Sequence, residues 1–314
     1  MDYRKLGNTG LQVSVVGLGC NNFGRRCDVQ TTADVVDAAV EAGINFFDSA
    51  DIYGPNGLSE EYLGRAIKVH DRGQLVIASK FANPMGEGKL SRGASRRYIM
   101  DAVEASLRRL GTDYIDLYQQ HVPDNDTPIE ETLRALDDLV RSGKVRYVGH
   151  SNFSGWQLAD ADWTARHHGL SPFVTAQNHY SLIDRRIEKD VIPAARHFGV
   201  GILPYFPLAS GLLTGKYTRG EAAPQGTRLA AWGERGAAAL SEQNFVVVDK
   251  LSQFAADHGR TLLELAMSWL ASKPYISSVI AGATSVAQVQ LNAAAADWCL
   301  TADEMATVNE LSTR

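Results

Sequence analysis

The 314-residue chain is 45% hydrophobic and 21% charged, ordinary globular usage that suffices for one large core or two smaller ones. Its 31 basic and 36 acidic residues give a formal charge of -5, and no stretch interleaves Lys and Arg with aromatics, which argues against nucleic acid as a partner. The N-terminal segment lacks the apolar core of a signal peptide, and no run approaches the roughly 18 apolar residues of a membrane span, so a cytoplasmic protein without membrane attachment is expected. Three cysteines, Cys20, Cys27 and Cys299, odd in number and without CxxC spacing, predict reduced structural thiols and no metal site.

In chain order, short β-branched or apolar runs recur at Val15 to Leu18, Phe46 to Phe47, Leu75 to Ala78, Ile115 to Tyr118, Val145 to Val148, Val174 to Ala176, Val200 to Leu203 and Ser278 to Ile280. Each is followed by an amphipathic stretch long enough to cross back over a sheet, the pattern of parallel strands buried on both faces. After the first run, Val35, Val36, Ala39 and Val40 form one apolar helical face that ends at Gly43. After the third, Ile99, Val103, Leu107 and Leu110 repeat at helical spacing and stop at Gly111. Helix starts carry the S/T-x-x-E/Q capping pattern at Thr127 to Glu130, Ser154 to Gln157, Thr261 to Glu264, Ser285 to Gln288 and Thr301 to Glu304, with Pro128 expected at the first helical position of its helix.

Eight strand-helix units in one chain predict an α/β fold of the (β/α)8 TIM-barrel type, a single domain over residues 1–314. A doubly wound open sheet uses most of the same alternation, but the count favours the barrel. About 250 residues make such a barrel. The remainder is assigned to a leading turn around Leu6 to Val13, a tail helix, and a long loop after the seventh strand, Ser210 to Ser241, which shows no stable period.

In a barrel of this kind the active site lies at the carboxyl ends of the strands, so the polar residues just past each apolar run are the informative ones. They are Asp48, Ser49 and Tyr53; Lys80; Gln119, Gln120 and His121; Ser151 and Asn152; Gln177 and Asn178; and Tyr205. An Asp, a Tyr, a Lys and a His in one mouth are the parts for delivering a proton to a carbonyl oxygen. A phenol near pKa ~10 is a poor acid at neutral pH, and an adjacent ammonium is expected to bring it toward working range while a carboxylate holds that ammonium in place. The imidazole donates a hydrogen bond to the same oxygen. Singly, each group has a plainer explanation: Asp48 or Lys80 as a strand-end ion pair, His121 as a packed histidine, Tyr53 as a half-buried aromatic. Their joint placement after three successive strands outweighs those explanations.

The segment Gly43-Ile44-Asn45-Phe46-Phe47-Asp48-Ser49-Ala50-Asp51-Ile52-Tyr53-Gly54 resembles the aldo-keto reductase signature that carries the catalytic Asp and Tyr. Leu75 to Phe81 resembles the segment with that family's lysine, here Lys80, and Asp113 to His121 the segment with its histidine, here His121. The similarity continues through Val148 to Phe153, Gln177 to Ser181 and Pro204 to Leu208, so it spans nearly the whole chain.

This resemblance implies that Ser151, Asn152 and Gln177 hold the nicotinamide carboxamide of a cofactor and that Tyr205 stacks on its ring, roles their amide, hydroxyl and aromatic groups suit. Phe206 stands where many relatives have serine, so one usual bond to the pyrophosphate is expected to be missing. Pro207, Leu208, Ser210, Gly211, Leu213 and Lys216 fall in or beside the segment that resembles the cofactor-covering loop, with Arg228 a further basic candidate. Ala281, Gly282, Thr284, Gln288 and Asn292 lie in a segment similar to the family's adenosine-phosphate segment, which here has no Lys or Arg and leaves helix N-terminal amides to meet an anion.

The resulting expectation is a reductase that converts aldehyde or ketone carbonyls to alcohols, with NADPH/NADP+ as cofactor, NADH as the second candidate, and the proton from Tyr53. The competing reading is a cofactor-binding partner module, since potassium-channel β-subunits share the fold and cofactor site. A barrel without a working substrate site is disfavoured by the four intact groups. Asn22, Phe23, Arg25, Phe81, Val122 and the loop near Trp232 are the candidate pocket walls; neither the substrate nor the oligomeric state has a sequence signature.

Overall fold

The computed structural model describes residues 1–313. An antiparallel hairpin, β1 (Tyr3–Lys5) and β2 (Gln12–Ser14), precedes the repeating part of the chain. There follow β3 (Val16–Gly19), α1 (Val29–Glu41), β4 (Phe46–Asp48), α2 (Leu58–Ala66), β5 (Val76–Phe81), α3 (Arg96–Leu110), β6 (Ile115–Gln120), α4 (Ile129–Arg141), β7 (Val145–Ser151), α5 (Gly155–His168), β8 (Thr175–His179), α6 (Val191–Phe198) and β9 (Gly201–Tyr205). Then come α7 (Arg228–Ala231), α8 (Glu234–Ala239), α9 (Glu242–Asp257), α10 (Leu262–Ala271), β10 (Val279–Gly282), α11 (Val286–Ala294) and α12 (Ala302–Leu311). All eight strands from β3 to β10 are parallel neighbours in one closed barrel, sealed where β10 pairs with both β3 and β9. The (β/α)8 expectation therefore holds, with α12 as the tail helix.

Two shells of apolar side chains result. Phe46, Val76, Ala78, Leu117, Leu203 and Ile280 fill the barrel interior, while a much larger cluster fills the space between the strands and the helices. What was expected as a leading turn is a hairpin that plugs the amino-terminal end of the barrel: Leu6 and Val13 are fully buried and belong to the interior cluster. An open end would leave those inward apolar residues wet, and the hairpin covers them.

The expected helix starts form, with two exceptions. Thr261 with Glu264 and Thr301 with Glu304 make reciprocal capping boxes, and the Ser154 amide donates to Gln157 Oε1. Helix α4 instead begins one residue late, at Ile129 behind Pro128, because the Thr127 hydroxyl donates to Asp124 and Glu130 turns to Arg134. At α11 the Ser285 hydroxyl caps the Gln288 amide, but the Gln288 carboxamide oxygen is taken by Thr284, so only half a box exists. The stretch from 210 to 241 also differs from the expectation of a structureless loop, since it carries α7 and α8. They pack so closely that a Cβ at Gly236 would lie 1.8 Å from the Leu229 carbonyl oxygen. Short helices of four and six residues are below the length at which periodicity speaks. No helix among the described residues is long and apolar enough to cross a membrane.

Candidate active site

The period-two rule of a strand decides which polar residues enter the barrel mouth. Phe46, Ala78, Leu117 and Leu203 point inward. The residues two positions further, Asp48, Lys80, Gln119 and Tyr205, therefore face the same way at the carboxyl end. Their neighbours Gln120 and Asn178 turn away and donate to the carbonyls of Val122 and Phe153. Ser49 faces Ser59 behind the site.

Lys80 is fully buried, and its ammonium donates to Asp48 Oδ2 (2.7 Å), the Ser49 carbonyl (2.7 Å) and the Tyr53 hydroxyl (3.3 Å). All three N–H bonds are thus used. Asp48 is satisfied in turn: its other oxygen accepts from the side-chain amides of Gln119 (3.2 Å) and Gln177 (2.9 Å). A buried ion pair is tolerated only when its remaining lone pairs are met, and here they are. His121, whose backbone amide bonds the Phe81 carbonyl, sets its ring edge-on to Tyr53 at 5.6 Å between centroids. The structure thus brings Asp48, Tyr53, Lys80 and His121 together.

The electrostatics depart from expectation at Tyr53. Burial pushes its phenol above the ordinary value, the Lys80 charge opposes this without offsetting it, and Asp48 adds to the rise. Tyr53 consequently keeps its proton at neutral pH, and the effect of Lys80 is to limit the rise. Burial pulls the Lys80 ammonium down, but Asp48 and Tyr53 outweigh it and leave its pKa raised. His121 is pulled down to about 3, first by burial and then by the Lys80 charge, so its ring is neutral at physiological pH.

Tyr53 and His121 open onto a cavity of about 560 Å³, in the size range of small-molecule sites. Of the residues expected to hold a cofactor, Ser151, Asn152, Gln177, Tyr205, Phe206, Pro207, Leu208, Ser210, Gly211, Lys216, Arg228, Ala281, Gly282, Thr284, Gln288 and Asn292 line it. Leu213 does not; it is fully buried as part of the core. At the inner end Asn152 accepts from the Tyr205 hydroxyl (2.8 Å) and donates to the His121 carbonyl (2.9 Å). The Ser151 hydroxyl donates to the Gln177 carbonyl. His179 stacks behind Tyr205 at 5.5 Å, leaving the opposite ring face for a planar ligand.

Three of the cavity's residues, Asn152, Phe206 and Ser210, have left-handed backbones with φ of 63°, 53° and 59°. Such conformations cost roughly 1–3 kcal/mol each and persist where the surroundings over-determine them, commonly at ligand sites. Of the expected pocket walls, Asn22 lines the cavity, whereas Phe23 and Phe81 are fully buried in the core and Arg25 is exposed outside it. Trp232 meets Phe206 edge-on at 5.7 Å and lines a neighbouring cavity. Gly19, Asn21, Arg26, Leu263 and Leu291 also line the main cavity, and no periodicity or capping signal in the sequence marks them.

Comparison with known proteins agrees with this architecture. A family model described as the Aldo/keto reductase family matches residues 15–313. A Bacillus subtilis (strain 168) protein named Uncharacterized oxidoreductase YrpG is 37% identical, with 99% of this chain and 96% of that protein covered. An Arabidopsis thaliana protein named Probable voltage-gated potassium channel subunit beta is 38% identical over 95% of this chain and 92% of its own length. L-glyceraldehyde 3-phosphate reductase of Escherichia coli (strain K12) is 34% identical over 93% and 86%. With a family match that runs from the first barrel strand through the tail helix, the chain belongs to the aldo/keto reductase family.

Proposed function

We propose that the protein is an NADP(H)-dependent oxidoreductase that reduces aldehyde or ketone carbonyls to alcohols, with Tyr53 as proton donor. The observation that carries this reading is the Tyr53 hydroxyl on the cavity wall, hydrogen-bonded to an ammonium that Asp48 and the Ser49 carbonyl hold in place. The donor set fits a nicotinamide dinucleotide: a free face of Tyr205, polar side chains of Ser151 and Asn152 beside it, and the cations Lys216 and Arg228 further along the same cavity.

When bound, the nicotinamide supplies the hydride that adds to the carbonyl carbon. As that bond forms, the carbonyl oxygen gains negative charge and takes the proton from Tyr53. The phenolate left on Tyr53 is stabilised by the Lys80 ammonium, and Asp48 keeps Lys80 charged and aimed. His121 is neutral, so it is not the acid; it serves as a neutral hydrogen-bond donor that orients the carbonyl oxygen. Both groups are uncharged at neutral pH; the division of labour follows from the Lys80 ammonium, which is hydrogen-bonded to the Tyr53 hydroxyl and stabilises the anion that hydroxyl leaves.

The test is turnover of a panel of aldehydes and ketones with NADPH and with NADH, followed by loss of reduced-nicotinamide absorbance, alongside fluorescence titration of both cofactors. Turnover that prefers NADPH is expected. The Arabidopsis relative favours a second reading, a cofactor-binding partner module. Tight NADPH binding without turnover across the panel would select it.

A further inference from the structure

We propose that Arg26 is a third phosphate-binding residue of the cofactor site, acting with Lys216 and Arg228 and tying the first strand-helix loop to the stretch that leads into α7. The proposal rests on the reading of the main cavity as a nicotinamide dinucleotide site. It starts from an imbalance of charge. Arg26, Lys216 and Arg228 all line the cavity, and among the described residues none of the three is in an ion pair with a carboxylate.

Arg228 instead donates weakly to the side-chain oxygens of Asn21 (3.3 Å) and Asn22 (3.4 Å), and its guanidinium lies over the Phe206 ring at 5.1 Å. Burial and repulsion from Arg26 both depress the Arg228 and Lys216 pKa values. Three like charges gathered in one cavity are unfavourable unless an anion of matching charge enters it.

Arg26 differs from the other two in where it comes from. Its Nη2 donates to the Gly226 carbonyl at 2.6 Å, a contact between residues 200 apart in sequence, just ahead of the Thr227 cap of α7. One of its five N–H groups therefore holds the stretch that leads into α7, and the others remain for oxygen acceptors. The loop that carries Arg26 is itself docked on the adenosine-phosphate segment, since Asn22 donates to the Ala283 carbonyl. That segment has no Lys or Arg of its own between Ile280 and Asn292, so Arg26 supplies from another loop a cation this stretch lacks.

The test measures binding of NADPH, NADH and 2',5'-ADP to wild type, Arg26→Ala, Arg26→Lys and, as a charge control outside the cavity, Arg97→Ala, by fluorescence or calorimetric titration. Thermal melts confirm that the variants are folded. Loss of a charge-assisted contact predicts roughly 10- to 100-fold weaker binding in Arg26→Ala. Arg26→Lys should recover part of the affinity, because it restores the charge without the fork. A loss shared by NADPH and NADH assigns Arg26 to the pyrophosphate; a loss confined to NADPH and 2',5'-ADP assigns it to the ribose 2'-phosphate. Faster cofactor release in stopped flow is expected in either case, since the tie to Gly226 is gone. Unchanged affinity in Arg26→Ala, with wild type binding normally, overturns the role of Arg26 alone. A wild type that binds none of the three probes overturns the cofactor reading and this proposal with it.

Discussion

The two ends of the main cavity are built in opposite ways. At the inner end Asp48, Lys80, Gln119 and Gln177 sit on strands, are almost wholly buried, and are bonded to one another at 2.7 to 3.2 Å. At the outer end Arg26, Lys216 and Arg228 sit on loops or a four-residue helix, lack carboxylate partners among the described residues, and share the cavity with the left-handed residues Phe206 and Ser210. The Lys80–Asp48 pair at the inner end is fully bonded without a ligand, and of that group's fully buried side-chain atoms only Gln119 Oε1 has no partner among the described residues, whereas the outer group is electrostatically unfinished. A rigid, pre-paired constellation suits chemistry, because donors fixed before the reaction need no reorganisation during it. An unneutralised one suits binding, because the arriving anion relieves repulsion and stabilises the folded chain by mass action.

The comparison is broken most sharply at the inner end. Tyr53→Phe removes the proton donor and little volume, so carbonyl reduction should fall by about 100- to 10,000-fold. Cofactor affinity should stay within a factor of about two, since the outer end is untouched. Steady-state rates with separately titrated cofactor check this, and wild-type turnover in the variant sinks the assignment of Tyr53. Lys80→Met is next in size. The Tyr53 phenol already lies above its ordinary value through burial, with Lys80 the opposing influence. Removing that cation raises the phenol further, so the rate should fall and the alkaline limb of the pH-rate profile should move to higher pH. A slower variant with an unmoved profile would reduce Lys80 to a packing role.

Arg228→Ala attacks the outer end and should show the reverse pattern. NADPH affinity is expected to drop roughly tenfold, in line with one lost charge-assisted contact, and NADH affinity by less. Turnover at saturating cofactor should be nearly preserved, because the inner constellation does not contact Arg228. Parallel loss of turnover and affinity would erase the distinction between the two ends. Added salt should weaken NADPH binding to wild type more than to the variant, since screening acts on the charge that the variant lacks.

The two ends also differ in how far the sequence foretold them. Asp48, Lys80 and Tyr205 were visible because each is a polar residue just past a β-branched or apolar run, and eight such runs separated by helical stretches marked the strands of a barrel whose site lies at their carboxyl ends. Gln119 was visible among the strand-end polar residues, but its role required seeing that Asp48 has a second oxygen to satisfy. The outer end obeys no period. Arg26 meets Gly226 only because the loop after β3 and the long stretch after β9, strands that both flank β10, bend toward each other, and Leu213 falls into the core because Ser210 and Gly211 both reverse the chain with positive φ. The leading hairpin escaped notice for a related reason, since strands of three residues are too short to show alternation. The direction of the Tyr53 shift also lay outside the sequence, because the competition between burial and a neighbouring charge is settled by depth.

The smallest expected effect at neutral pH concerns His150, which tests whether the strand-borne half is as firmly built on its outer face as on its inner one. It precedes Ser151 on β7 but points away from the cavity, fully buried between Phe153 (4.5 Å, stacked) and Phe173 (5.3 Å, edge-on). Neither ring nitrogen has a hydrogen-bond partner among the described residues, and burial pulls its pKa down to about 3 from 6.5. In the folded chain it therefore stays neutral while the unfolded chain protonates it at the ordinary value. As pH falls from about 6.5 toward 3 the unfolded state binds the extra proton, and stability drains away by about 1.4 kcal/mol per pH unit. His150→Phe keeps an aromatic ring in the stack and deletes that proton site. Its melting temperature should sit close to wild type at pH 7.5 and rise above it progressively between pH 6.5 and 4.5, with cofactor affinity at neutral pH unchanged. If the two melting curves stay parallel across that range, the outer face of β7 is wet or mobile enough to solvate a charge, and the rigidity ascribed to the strand-borne half would have to be confined to the groups that bond Asp48.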